Sequence, residues 1–432
     1  MGARWGRLIK LGAGMIKRSL LSLGVAFLAA GLLFGAGAAM AQNTIKIALI
    51  APFSGPVAAQ GDAWLKMLSY AMSNTNARGG ALGKKLELVT FDDKFQPAEA
   101  LIALKAATDQ NISIIIGGVG SNVAAAMIDG IAKHNARNPK NQAVYLNVSA
   151  LTTEFTEEKC DFWHFRFSAN VTMRVATMIR GMPQDVKSVF LMNQDYAYGQ
   201  GVVADTKKFL AQYRPDIKVV GEEMIPLMKI KDFSSYATKL QASGAQALLT
   251  SNWGQDFNLL MKASNEAGLD LKFYTFSAHL NGAPTAMGEG GANRAIAVLE
   301  GHDNMGAEMN NAAAEEWVKN WRATGATFDF PWVNFQTTFE MLAGAINKAG
   351  STEALKVALA LEGIQMKDVY GKVNIMRKED HQILQPYYTA LFTKPVKYDS
   401  EKTGLGWKTL TAATTEQLTF PTSCKMKRPS GA

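Results

Sequence analysis

The sequence predicts an α/β protein of two Rossmann-like lobes, each built on a mostly parallel sheet, with a cleft between them. Short apolar runs begin at residues 45, 86, 112 and 143, separated by helix-like segments at βαβ spacing. A second series of the same kind begins at residue 187. The run Ile112 to Ile116 is almost wholly apolar, as expected for a strand buried on both faces.

Each element has its own signal. Ile45 to Ala51 reads as a strand that ends at Pro52. Gly61 to Arg78 places Trp64, Met67, Leu68, Ala71 and Met72 at helical spacing and stops at Gly79-Gly80. Leu86 to Phe91 is the next strand, and Pro97 opens the next helix, where its missing N–H costs nothing. After Ile116, the loop Gly117 to Asn122 leads into a helix near Val123 to His134, then a strand at Ala143 to Asn147. In the second series, strands Lys187–Met192, Ile217–Met224, Ala245–Thr250 and Lys272–Phe276 alternate with helices Gly199–Tyr213, Phe233–Ala242 and Gly254–Ala267. Beyond Glu300 the chain turns helix-rich, at about 312–323, 331–349 and 351–361. Gly371 to Ile375 reads as a late strand, and 396–432 as an irregular C-terminal tail.

The N-terminus carries an export signal. Arg4, Arg7, Lys10, Lys17 and Arg18 precede an uncharged stretch from Leu20 to Phe34, and Ala39-Met40-Ala41 offers a small-x-small cleavage site. This pattern is a signal peptide over 1–41, cleaved after Ala41. The alternative is a retained anchor, because Leu20 to Met40 is just long enough to span a bilayer. Cleavage removes five positive charges from the formal +8 and leaves 40 basic against 37 acidic residues, or +3 over 391 residues. The remaining basic residues are scattered, so the charge implies no nucleic-acid partner. No second apolar stretch reaches membrane-spanning length. Cys160 and Cys424 are the only cysteines; after export they can pair, or stay as two free thiols.

Common catalytic and cofactor motifs are missing. Gly118-x-Gly120 lacks the third glycine of a dinucleotide fingerprint, and no Gly-x-Ser-x-Gly elbow or His-Glu-x-x-His pair occurs. In open parallel sheets, ligands bind beyond the C-terminal strand ends, which directs attention to the loops after Ile50, Ile116, Asn147, Met192, Thr250 and Phe276. Ser121 and Asn122 fall at a helix N-terminus, where free N–H groups and the helix dipole favour an anion such as a carboxylate. The plainer reading is that Ser121 only caps its helix. Tyr196, Tyr198, Trp253, Phe53 and His279 fall near predicted strand ends, as cleft walls with polar handles or as interface packing.

Several stretches together resemble one family. They are Pro52-Phe53-Ser54-Gly55-Pro56-Val57 with Gly61-Asp62, then Asn76 to Gly80 with Gly83, then Ile115 to Ser121. Leu151 to Thr156, Phe165-Arg166, Asp195 with Tyr198-Gly199, Trp253-Gly254 with Asp256, and Asp380-His381-Gln382 continue the pattern. From Ile45 to about Phe392 the chain resembles the periplasmic substrate-binding proteins of branched-chain amino-acid ABC transporters, the Leu/Ile/Val-binding protein family with the type I periplasmic binding fold.

The resemblance implies two lobes joined by three crossovers, closing on a small-molecule ligand that is handed to a membrane permease. It implies a periplasmic monomer with no cofactor and no chemical step. Lobe 1 would take 44–166 plus 301–366, and lobe 2 would take 167–300 plus 367–395. Ser121, with Asn122 beside it, would hold a ligand carboxylate. Ser149 and Ala150 match positions whose backbone contacts the ligand. Tyr198 and Trp253 match second-lobe aromatics, and Gln60 falls near the variable end of the ligand.

Two departures bear on the ligand. Leu151 stands where the amino-acid-binding proteins have a hydroxyl residue. Phe276-Ser277-Ala278-His279 stands where they place an acid against the α-ammonium. A buried ammonium without a counter-charge costs several kcal/mol. The expected ligand is therefore an organic or aromatic acid rather than a simple branched-chain amino acid, with His279 as a wall or donor. Asp195, Asp256 and Glu154 are the carboxylates that keep an amine-bearing ligand open. A sensory receptor on the same fold, and a secreted α/β enzyme with a triad formed only in space, are the other readings.

Overall fold

The computed structural model describes residues 44–430; the expected signal peptide and its cleavage site lie outside them. The strands are β1 (Thr44–Ala51), β2 (Lys85–Asp92), β3 (Ile114–Gly117), β4 (Val144–Asn147) and β5 (His164–Arg166), then β6 (Ser188–Gln194), β7 (Lys218–Ile225), β8 (Ala247–Thr250), β9 (Lys272–Thr275) and β10 (Ala295–Leu299). The late strands are β11 (Gln365–Lys367), β12 (Val373–Met376), β13 (Ile383–Leu384), β14 (Tyr387–Thr393) and β15 (Gly406–Ala413). The helices of the βα units are α1 (Ala58–Ala77), α2 (Pro97–Asp109), α3 (Ser121–Arg137), α4 (Val171–Gly181), α5 (Ala197–Tyr213), α6 (Ser234–Ala242), α7 (Gly254–Glu266) and α8 (Ala283–Gly291). The helix-rich region holds α9 (Met305–Glu308), α10 (Ala312–Ala323), α11 (Asn334–Ala349) and α12 (Ala354–Leu361).

Two large sheets organise most of these elements, and β11-β12-β13 form a small antiparallel third. The first has the order β2-β1-β3-β4-β5 and is parallel throughout. The second has the order β15-β14-β10-β9-β8-β6-β7; β6 to β10 run parallel, and β14 and β15 add antiparallel edges. Helices α11 and α12 return from the second sheet to pack on α1 and β4 of the first lobe. β3 and β4 are fully buried, so their apolar runs reflect helices on both faces.

Strand order reverses beside β1 in the first sheet and beside β6 in the second. The helix after β1 packs to one side and the helix after β3 to the other. A crevice therefore opens between the C-terminal ends of β1 and β3, and a second between those of β6 and β8.

The crossovers are knit by buried polar contacts. Arg166 Nε donates to Gln382 Oε1 at 2.7 Å and Nη1 donates to the Thr152 carbonyl at 2.6 Å. The His381 ring stacks on Phe165 at 3.8 Å between centroids. A fully buried guanidinium needs such partners, since each unmet N–H would cost a desolvation penalty.

The C-terminal segment departs from the irregular tail expected for 396–432. Gly406 to Ala413 pairs along β14 and completes the edge of the second sheet. Its mixed pattern of buried and exposed residues belongs to an edge strand, which a search for apolar runs passes over. Beyond it, Cys424 is disulfide-bonded to Cys160, closing a separation of 264 residues. Phe420 packs on Phe209 of α5 at 5.7 Å, and its carbonyl accepts from Arg377 at 2.6 Å.

Candidate ligand-binding site

The loops at the two crevices meet around a cavity of about 60 Å³. In a measure where one water needs about 10–15 Å³, this suits a small solute rather than a polymer. Gln60, Ser121, Ser149, Ala150, Tyr198 and Trp253 all line it. The other two expected residues do not. Asn122 is exposed on α3, because the residue after Ser121 turns to the outer side of the first helical turn. His279 is buried one layer back, in a small pocket shared with Gln60 and Trp332, its ring 6.1 Å from the Trp332 ring.

The Ser121 end depends on glycine. Gly118 and Gly120 have φ of +121° and +80°, which favour a residue without Cβ. A Cβ on Gly118 would lie 2.4 Å from Asn147 Oδ1, and one on Gly120 would lie 2.4 Å from the Phe95 ring. Gly120 is the N-cap of α3, and no side chain caps the helix. Ser121 is therefore the first helical residue, buried and with no capping bond, at the end where the helix dipole favours an anion. Asn147 Oδ1 accepts the N–H groups of Ser149 at 3.1 Å and Ala150 at 2.8 Å. Those two N–H groups thus serve to shape the loop.

The walls are aromatic. Trp253 donates its indole N–H to the Tyr196 hydroxyl at 2.8 Å and meets Phe95 edge to face at 5.6 Å. Trp64 and Trp332 meet edge to face at 6.2 Å. Burial pushes the Tyr198 hydroxyl up to about 12 despite the opposing pull of Arg174, so it stays a protonated donor. Burial, with Arg174 nearby, lowers His279 to about 3, leaving it neutral.

One residue that the sequence reading did not single out dominates the charge. Arg174, on α4, is 2% exposed and is the only charged side chain among the described residues lining the cavity. Its guanidinium lies 5.5 Å from the Trp332 ring centroid and 5.4 Å from that of Tyr387. Its Nε has no hydrogen-bond partner, and Glu300 Oε1 stands 3.8 Å from Nη2, beyond hydrogen-bond reach. Burial lowers its proton affinity, but Tyr387 and Glu300 outweigh that and the net shift is upward. The signal in the sequence was an arginine within a run of apolar helix positions, Met173, Val175, Ala176, Met178 and Ile179, all buried with it.

No acid lines the cavity among the described residues. Asp256 accepts from Gln194 at 2.7 Å and from the Met228 N–H at 2.8 Å, away from the lining. Asp195 is exposed, and Glu154 pairs with Lys159 at 2.8 Å.

A family model described as periplasmic binding protein matches residues 44–394. The Leu/Ile/Val-binding protein homolog 4 of Brucella abortus is 32% identical over 429 residues, 95% of this chain and 98% of that protein. The leucine-, isoleucine-, valine-, threonine- and alanine-binding protein from Brucella ovis, solved in a closed conformation, superposes with a TM-score of 0.79 at 28% identity, over 89% of this chain and 100% of that one. An ABC-transporter solute-binding protein from R. palustris in complex with benzoate shares the fold with a TM-score of 0.71 at 20% identity, over 86% of this chain and 96% of that one. The chain belongs to the periplasmic binding protein family, the substrate-binding proteins of ABC transporters, and is not an enzyme.

Proposed function

We propose that this protein captures a small organic or aromatic acid between its two lobes and delivers it to an ABC-transporter permease. In this reading the lobes are 44–166 plus 301–366 and 167–300 plus 367–395, and export follows cleavage after Ala41. One observation carries the choice of ligand: a cationic Arg174 and, among the described residues, no carboxylate line the cavity. An anion gains charge-assisted hydrogen bonds there, whereas an α-ammonium would meet a like charge and no counter-ion. The Ser121 end of α3 supports an anion as well. Fold alone does not choose, because it serves a protein named for leucine, isoleucine and valine in B. ovis and one that holds benzoate in R. palustris.

Binding proceeds by closure about the crossovers, which buries the acid among Trp64, Trp253 and Trp332. A thermal-shift panel on the exported protein tests this. Organic acids are expected to raise Tm as bound ligands stabilise the folded state, and leucine, isoleucine and valine are not. Stabilisation by the three amino acids alone refutes it.

A further inference from the structure

We infer that the cavity recognises two anionic groups, one on each lobe, so that its ligand is a compact diacid. The inference rests on reading the cavity as an acid site. One anion position is the start of α3, where Ser121 stands uncapped and buried on the first lobe. The other is Arg174 on α4, which packs with α5, β10 and β14 of the second lobe.

Arg174 has donors to offer. Both Glu300 oxygens are occupied by other groups: Oε1 accepts from the Tyr387 hydroxyl at 2.5 Å and Oε2 from the Asn334 N–H at 3.0 Å. The Tyr387 hydroxyl is fully engaged too, accepting from the Ala169 N–H at 2.9 Å and from Gln385 Nε2 at 3.1 Å. The rings of Trp332 and Tyr387 flank the cation, and Glu300 part-balances its charge at 3.8 Å from Nη2. The guanidinium lines the cavity, and a carboxylate, whose two oxygens match its fork, is its complement.

A monoacid satisfies one of these positions and leaves the other unpaired in a closed, dry cavity. Specificity built on such a missing partner is strong, because the unmet group is penalised on every binding event. A diacid bridging Ser121 and Arg174 also ties the lobes together, since its two ends are held from opposite sides.

Calorimetry on the exported protein tests this with matched pairs, pentanoate against glutarate and benzoate against terephthalate. The diacid of at least one pair is expected to bind tenfold or more tighter than its monoacid, about the gain of one charge-assisted contact. In Arg174→Gln that preference is expected to vanish, the diacid losing about tenfold more affinity than its monoacid. The wild-type comparison stands whether or not the variant folds. Equal affinities within both wild-type pairs overturn the two-anion inference and leave the acid site standing. Equal loss of both ligands in a folded Arg174→Gln overturns it too, by placing Arg174 and Ser121 on one carboxylate. Binding of leucine with none of the four acids overturns both readings.

Discussion

Phe95, just after β2, and Trp253, at the start of α7, meet edge to face with ring centroids 5.6 Å apart. Phe95 belongs to the loops of the first sheet and Trp253 to those of the second, so this contact joins the lobes behind the Trp253 wall of the cavity. Such pairs contribute about 0.5–1.5 kcal/mol beyond their buried area. Phe95→Ala is expected to weaken ligand binding about 3- to 10-fold and, because Phe95 is buried, to lower Tm by several degrees. Calorimetry and a melting curve check both.

Ser121 separates a structural role from a binding role. Gly120 is the N-cap of α3, and Ser121 makes no capping bond. Ser121→Ala should therefore leave Tm within about 1–2 °C but lower affinity about tenfold, through loss of a hydrogen bond to a charged group. A fall in Tm with unchanged affinity would return the residue to helix stability.

The Cys160–Cys424 bond fastens the C-terminal segment to the first crossover region. Its long loop places it among the more stabilising cross-links, at about 2–4 kcal/mol. Reduction, or the double replacement of Cys160 and Cys424 by Ser, is expected to lower Tm by several degrees. The edge strand β15 should lose amide protection first, as hydrogen exchange would show.

Glu362 links the same segment to the third crossover. His381 Nε2 lies 2.9 Å from its Oε1, and Arg428 lies 2.8 Å from the carboxylate. Burial pushes its carboxyl up, but His381 and Arg428 pull harder, and the net value falls from 4.5 to about 2. The folded value lies below the unfolded one, so the contribution is complete above about pH 5 and is lost as pH falls toward 2. Allowing for solvent at the part-exposed Arg428, it amounts to about 1–2 kcal/mol. The stability gap between wild type and Glu362→Gln should be constant from about pH 5 to 7 and shrink below that in denaturant titrations.

The central parallel strands were legible because burial on both faces writes a continuous apolar run, as in β3, β4 and β8. Runs read from residues 45, 86, 112 and 143 correspond to strands beginning at 44, 85, 114 and 144. β5 escaped because it has three residues, two of them His164 and Arg166, and owes its place to β4 and to Gln382 across the crossover. β15 escaped because an antiparallel edge strand need not be apolar throughout, whereas β14 lies buried between β10 and β15 and its largely apolar run was passed over. At the cavity, strand-end positions pointed to Ser121, Tyr198 and Trp253, since sheet topology fixes where such loops converge. Arg174 sits on a helix, and Trp332 follows Pro331 in an irregular stretch. Their meeting depends on how two sheets face each other, which no local pattern encodes. Asn122 and His279 show the reverse: correct loops, with side chains set by a helical turn and by packing behind Trp332.

An anion without an amine is expected to fill the cavity. The most direct test is mass spectrometry of the small molecule released from protein purified without added ligand. A small organic acid that contains no amine nitrogen is expected. Leucine, isoleucine or valine in stoichiometric amount would contradict it.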